Sequence, residues 1–142
     1  MRRYAVREVD TSKPEVCHTL MALQAEILPS DFPRSPDLGW WWIVYQGKTP
    51  VGFAGMVPSL KWKETVYFCR AGVQLLHRGN GLQRRLINVR MAAAKKLGYK
   101  WAVTDTRGNP PSSNNLIACG FKIYEPRAPW GDPKTLYWIR KL

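Results

Sequence analysis

The residues best arranged for chemistry form one short stretch, Val73-Gln74-Leu75-Leu76-His77-Arg78-Gly79-Asn80-Gly81-Leu82-Gln83-Arg84. In it an apolar run meets a basic, glycine-bearing turn that opens an amphipathic segment. The first backbone N–H groups of a helix have no intrahelical partner and sit at the positive end of its dipole. Where glycines let the backbone come close, such a start holds a phosphate or pyrophosphate, and Arg78 adds a cation beside it. The spacing also suits an ordinary strand-to-helix turn, so both readings stay open from these residues alone.

Proton transfer calls for a carboxylate or another titratable group within reach of the reacting atom, and the chain has 10 Asp and Glu. Four stand out by position. Glu26 and Asp31 flank the break after the first helical segment, Glu64 opens the strand leading to the glycine turn, and Asp105 interrupts an apolar strand. Asp105 either faces a cleft or pairs with one of the arginines; Glu64 is either a base or a solvated strand-end acid. Tyr124 and Tyr137 are hydroxyl donors that also suit simple packing. His77 reads as solvent-facing, the Trp40-Trp41-Trp42 run places at least one indole in the core, and Cys69 and Cys119 read as small buried hydrophobes.

The elements that must position these groups follow from periodicity. Residues 4–9 alternate as a short strand. Ser12, Pro14 and Glu15 then read as a capped helix start before Val16, Leu20, Leu23 and Ile27 at helical spacing. Prolines 29, 33 and 36 break regular structure over 29–39. Residues 40–45 and 51–57 read as an antiparallel hairpin turning at Gln46-Gly47-Lys48, and 64–73 as a further strand. Gly52, Gly55 and Gly72 inside these strands point to bulges or close backbone approach. Leu82, Leu86, Val89, Ala93 and Leu97 fall on one face of a helix that Gly98 ends. Residues 101–106 read as a strand, 112–118 as a short helix, and 122–125 and 135–140 as closing strands. Strands interleaved with helices give an α/β (α+β) class.

A length of 142 residues with 45% hydrophobic content fits one domain with a sizeable core. A net charge of +12 favours anionic partners as a class. The three cysteines are widely spaced and form no CxxC, which gives neither a disulfide framework nor a zinc site and fits a reducing cytoplasm. The N-terminus lacks an apolar leader stretch, and no apolar run approaches the ~20 residues that span a bilayer, so no membrane association is expected.

The glycine turn resembles the phosphate-binding signature of the GCN5-related N-acetyltransferase (GNAT) family, which is Arg or Gln, two residues, Gly, one residue, then Gly or Ala. Arg78 and Gly81 stand at its first two fixed places, and Gln83 replaces the last. Val73 precedes Arg78 by five residues, as at the family's usual strand end, though Leu75 sits where proline is common. Downstream, Asn109, Ser112 and Cys119-Gly120-Phe121 look like the family's strand-end Asn, short helix and closing Gly-Phe.

The resemblance covers nearly the whole chain. It implies a mixed, mostly antiparallel central sheet flanked by helices, with residues 1–142 as a single N-acetyltransferase domain. It further implies acetyl-CoA as co-substrate, no metal, and direct attack on the thioester by the primary amine of a small-molecule or peptide acceptor. The coenzyme contacts it implies are Val73, Gln74, Leu75, Arg78, Gly79, Asn80, Gly81, Leu82, Gln83, Arg84 and Asn109, with a backbone N–H near Val73 polarising the carbonyl. Glu26 and Asp31 lie where family members recognise acceptor. The tyrosine that often protonates the leaving thiolate has its place taken by Leu116, which leaves Glu64, Asp105 and Tyr124 as the catalytic candidates.

The competing readings are a basic nucleic-acid-binding module, supported by charge and seven tryptophans, and an inactive GNAT-like protein that only binds coenzyme. The scattered basic residues form no single stripe, which weighs against nucleic acid. Monomer and homodimer are both compatible with the sequence.

Overall fold

The computed structural model describes residues 3–142. Its elements, in chain order, are β1 (Tyr4–Val9), α1 (Pro14–Ile27), β2 (Trp40–Gln46), β3 (Thr49–Pro58), β4 (Thr65–Val73), a 3₁₀ turn (Leu75–His77), α2 (Leu82–Lys96), β5 (Trp101–Arg107), α3 (Pro110–Ala118), β6 (Lys122–Tyr124) and β7 (Thr135–Lys141). The strands form one sheet in the order β1-β2-β3-β4-β5-β7-β6. Every neighbouring pair is antiparallel except β4 and β5. This is the mixed, mostly antiparallel architecture expected from the sequence.

Alternation along the strands sends side chains to two cores. On one face Trp41, Ile43 and Phe53 pack with Leu20 and Leu23 of α1. On the other, Trp42, Val44, Ala54 and Phe68 pack with Leu82, Leu86 and Ile87 of α2, Leu116 of α3, and Phe121 and Trp138. The tryptophan run is therefore split between the faces, with Trp41 and Trp42 both buried. Two glycines make the close approaches possible. A Cβ at Gly55 would lie 2.6 Å from the Trp41 ring, and one at Gly72 would lie 2.4 Å from an Ile27 methyl. The ladder also shifts register between Gly55 and Val57, in the strand whose glycines suggested a bulge.

The start of α1 differs from the sequence expectation. Its N-cap is Lys13, with no side-chain cap, and Pro14 opens the helix. Ser12 instead donates its hydroxyl (2.6 Å) and its N–H (3.0 Å) to Asp10 Oδ1. The nearby carboxylate competes successfully for the group that would have capped the helix.

The helix α2 ends in a Schellman-like turn. Gly98 (φ 92°) donates to Lys95 O, and Tyr99 donates to Ala94 O. After α1, the proline-bearing segment is fastened by Gln24, which is 1% exposed. Its amide donates to Arg34 O and accepts from Arg34 N, both at 2.9 Å. Among the described residues, no helix is long and apolar enough to cross a membrane, and no group of three or more His, Cys, Asp and Glu is placed to hold a metal ion.

Candidate active site

The parallel ladder of β4 and β5 is short. It pairs Thr65–Tyr67 with Trp101–Val103 and then stops, although β4 continues to Val73 and β5 to Arg107. A side-chain bond from Thr104 Oγ1 to Phe68 O (2.8 Å) closes the ladder's end. Beyond it the strands part around a cavity of about 600 Å³, lined by residues 68–71 of β4 and 104–107 of β5. Gln83, Ile87 and Arg90 of α2, and Asn109, Ser112, Asn115 and Leu116 at α3, form one wall. Tyr67, Asp105, Trp130 and Arg34 form another.

At the head of the first wall stands the glycine turn. Gly79 (φ 80°) and Gly81 (φ 71°) are both left-handed, a conformation that side chains rarely adopt. A Cβ at either would meet nothing within 4 Å, so the space in front of the turn is open. Gly81 is the N-cap of α2, and no side chain caps that helix start. Arg78 folds back, its Nε donating to Val73 O (3.2 Å), and Asn80 Nδ2 braces the turn by donating to His77 O (2.9 Å). Arg84 Nε donates to Asn115 Oδ1 (3.0 Å), which ties α2 to α3 across the wall. Left-handed glycines, an uncapped helix start and nearby arginines together suit a pyrophosphate.

On the second wall, Tyr67 Oη and Trp130 Nε1 both donate to Asp105 Oδ2, each at 2.7 Å. Among the described residues no donor meets Oδ1. Burial, followed by the Asp105 charge, holds the Tyr67 phenol well above its usual range, so it stays a neutral donor. Trp130 packs edge-on against Tyr67, Trp62 and Tyr137. The carboxylate thus sits on an aromatic shelf facing the cavity.

A family model described as the acetyltransferase (GNAT) family matches residues 5–121. The chain belongs to that family. Solved GNAT-type structures share its fold. An IAA acetyltransferase from Bacillus cereus superposes with a TM-score of 0.76 at 14% identity, covering 99% of this chain and 100% of the other. An acetyltransferase from Bacillus subtilis in complex with CoA gives 0.72 at 15%, covering 100% and 99%. The PaiA N-acetyltransferase from Thermoplasma acidophilum in complex with coenzyme A gives 0.75 at 12%, covering 99% of each chain. No curated protein sequence matches. As a GNAT domain, the chain is an acyltransferase.

The GNAT fold distributes the residues singled out in the sequence unevenly. Asp105, Asp31, Gln83 and Asn109 line the cavity. Asn109 also caps α3, accepting from Ser112 N at 3.2 Å. Val73 and Leu82 are buried, so only their backbone groups are available, while Leu75 is largely exposed. Glu26 accepts from Gln74 Nε2 (2.8 Å), and neither residue is part of the cavity lining. Asp31 pairs with Arg70 (3.0 Å) at the cavity edge.

Glu64 is not brought to the cavity. It is exposed just before β4, at a positive φ of 56°, where its backbone O accepts from Lys100 N and Trp101 N and its carboxylate pairs with Lys100 at 3.4 Å. These contacts fix it at the paired end of β4, away from the parted end. Tyr124 lines a second cavity of about 610 Å³ with Trp62, Trp101 and Lys63. Burial, then the charge of Asp105, pushes its phenol up to about 12, and among the described residues its hydroxyl has no hydrogen-bond partner.

Two expectations change. His77 is half-buried, not solvent-facing, because its Nδ1 bonds Tyr4 Oη at 2.9 Å and the rings meet edge-on. Cys69 and Cys119 are only partly buried, and Cys69 lines the cavity because β4 has lost its β5 partner there. Of the two readings of Asp105 the first holds: it lines the cavity, and among the described residues it forms no ion pair with an arginine. Sequence reasoning missed Tyr67, Trp130 and Arg90. The first two carry no local signal, but a cation at position 90 on the apolar side of an amphipathic helix was visible.

Proposed function

We propose that this GNAT chain is an N-acetyltransferase, a single domain over residues 1–142, that moves an acetyl group from acetyl-CoA to a primary amine by direct attack. The observation that carries this reading is the Asp105 carboxylate, held on one oxygen by Tyr67 and Trp130, in a residue that lines the cavity between the parted strands. The glycine turn supports the coenzyme half of the reading, with the pyrophosphate at Gly79, Asn80, Gly81 and the first turn of α2. Asn109 and Gln83 lie further along the same wall.

Acetyl-CoA bound there supplies the thioester. Asp105 and its aromatic shelf dock the acceptor as an ammonium, since a carboxylate beside aromatic faces favours a cation. Asp105 then takes the ammonium proton, freeing the lone pair that forms the C–N bond as the C–S bond breaks. The electron pair of that bond leaves with sulfur, and the second nitrogen proton passes to solvent. Tyr67, kept neutral, and Trp130 hold the carboxylate in place throughout.

The test is calorimetric titration with acetyl-CoA beside a short single-stranded oligonucleotide at matched salt, followed by acetylation assays on a panel of primary amines. Saturable coenzyme binding with weak, salt-sensitive oligonucleotide binding is expected. Tight oligonucleotide binding without coenzyme binding would overturn the reading.

A further inference from the structure

One cation in the cleft has no counter-charge among the described residues. Arg90, on the third turn of α2, is 4% exposed yet lines the cavity. Its Nε donates to Leu86 O (3.0 Å) and its Nη1 to Gly55 O (3.2 Å), while the guanidinium lies 4.3 Å above the Phe68 ring. None of the ion pairs among the described residues includes it. Desolvation lowers its pKa to about 10, which still leaves it charged at neutral pH. A buried, uncompensated charge is costly to a fold. Two neutral carbonyls and a ring hold the guanidinium in place without neutralising it.

The same wall carries Leu116, an apolar side chain that can neither donate a proton nor bear charge. The cavity therefore lacks a proton donor there while keeping a fixed positive charge. Burial holds the thiols of Cys69 and Cys119 above their ordinary value, and arginines offset part of that rise, Arg34 then Arg90 at Cys69 and Arg84 then Arg90 at Cys119.

We infer that the buried Arg90 guanidinium stabilises the departing coenzyme A as a thiolate, so that the leaving sulfur needs no proton from the protein. The inference rests on the proposed coenzyme site. As the amine nitrogen bonds to the acetyl carbon, the C–S electron pair goes to sulfur, which leaves the cleft as an anion and takes its proton from water. The nitrogen protons leave through Asp105 and solvent. A cation in a low-dielectric site acts more strongly on such an anion than one in water.

The experiment titrates the thiol of bound CoA by its ultraviolet thiolate absorbance against pH, in the wild type, Arg90→Met and Arg90→Lys, with desulfo-CoA as the sulfur-free control. In the wild type the bound thiol is expected to ionise about one pH unit below free CoA, the order of shift a neighbouring cation gives. Arg90→Met should abolish that shift while binding desulfo-CoA within about twofold of wild type, and Arg90→Lys should keep part of it. A bound thiol that titrates at or above the free value in the wild type overturns the inference, whether or not the methionine variant folds. So does an equal shift in wild type and Arg90→Met. Failure of wild type to bind CoA at all would overturn the coenzyme site and this inference together, whereas binding with an unshifted thiol removes the inference alone.

Discussion

The glycine turn and the aromatic shelf face the same cleft but are assembled differently. The turn is contiguous, and what it offers is backbone: left-handed glycines and an uncapped helix start. The shelf joins Tyr67, Asp105 and Trp130 across separations of 38 and 25 positions, and what it offers is side chains. A backbone site depends on which φ angles the chain tolerates, while a side-chain site depends on tertiary packing. On the proposed function, the contrast implies that the acceptor half can be altered without disturbing the coenzyme half, and the reverse.

The sharpest way to break that contrast is Gly81→Glu. It puts bulk and negative charge into open space at a left-handed position, with no protein atom within 4 Å to clash. The backbone strain is about 1 kcal/mol, too little to unfold the chain. Calorimetry should find coenzyme binding lost while circular dichroism stays unchanged; retained affinity would remove the turn from the site.

Next in size is Asp105→Asn, which keeps the shape but removes the proton acceptor. Turnover should fall by about 100-fold, the range of general-base effects, with the KM for acetyl-CoA unchanged. A rise confined to the coenzyme KM would place Asp105 on the wrong side of the comparison. Trp130→Phe removes one of the two donors to Oδ2 and should cost about tenfold in kcat/KM for the amine, the worth of a hydrogen bond to a charged group.

The smallest effect is spectroscopic. Tyr67 and Tyr124 have folded-state values raised above the unfolded phenol. The stability they contribute is therefore fully present below about pH 10 and lost as pH rises through their folded values. In a tyrosinate absorbance titration these two should ionise last, and Tyr67→Phe should remove one late step. Simultaneous ionisation of all six tyrosines near pH 10 would mean that the shelf is not desolvated.

The same division governs what the sequence could tell. Helical spacing from Leu82 to Leu97 and the glycines at 79, 81 and 98 act locally, so α2 and its entrance were readable. The mostly antiparallel sheet was legible only through the family resemblance and its strand order not at all, because β7 inserts between β5 and β6 by long-range pairing. Asp105 was conspicuous as an acid in an apolar strand, but its partners were not, since nothing near Tyr67 or Trp130 signals a shared carboxylate. Glu64 drew attention by its place before β4. A positive φ and Lys100, both properties of the folded chain, hold it elsewhere.

If the acceptor enters the cavity as proposed, the Gln24 amide that clasps both backbone groups of Arg34 bears on how quickly it is captured. A segment with three prolines, latched by a buried side chain, has its ordering entropy charged to folding, so none remains to be met at encounter. Stopped-flow traces of acceptor binding should accordingly be single-exponential and linear in concentration, without the plateau that a closing loop imposes.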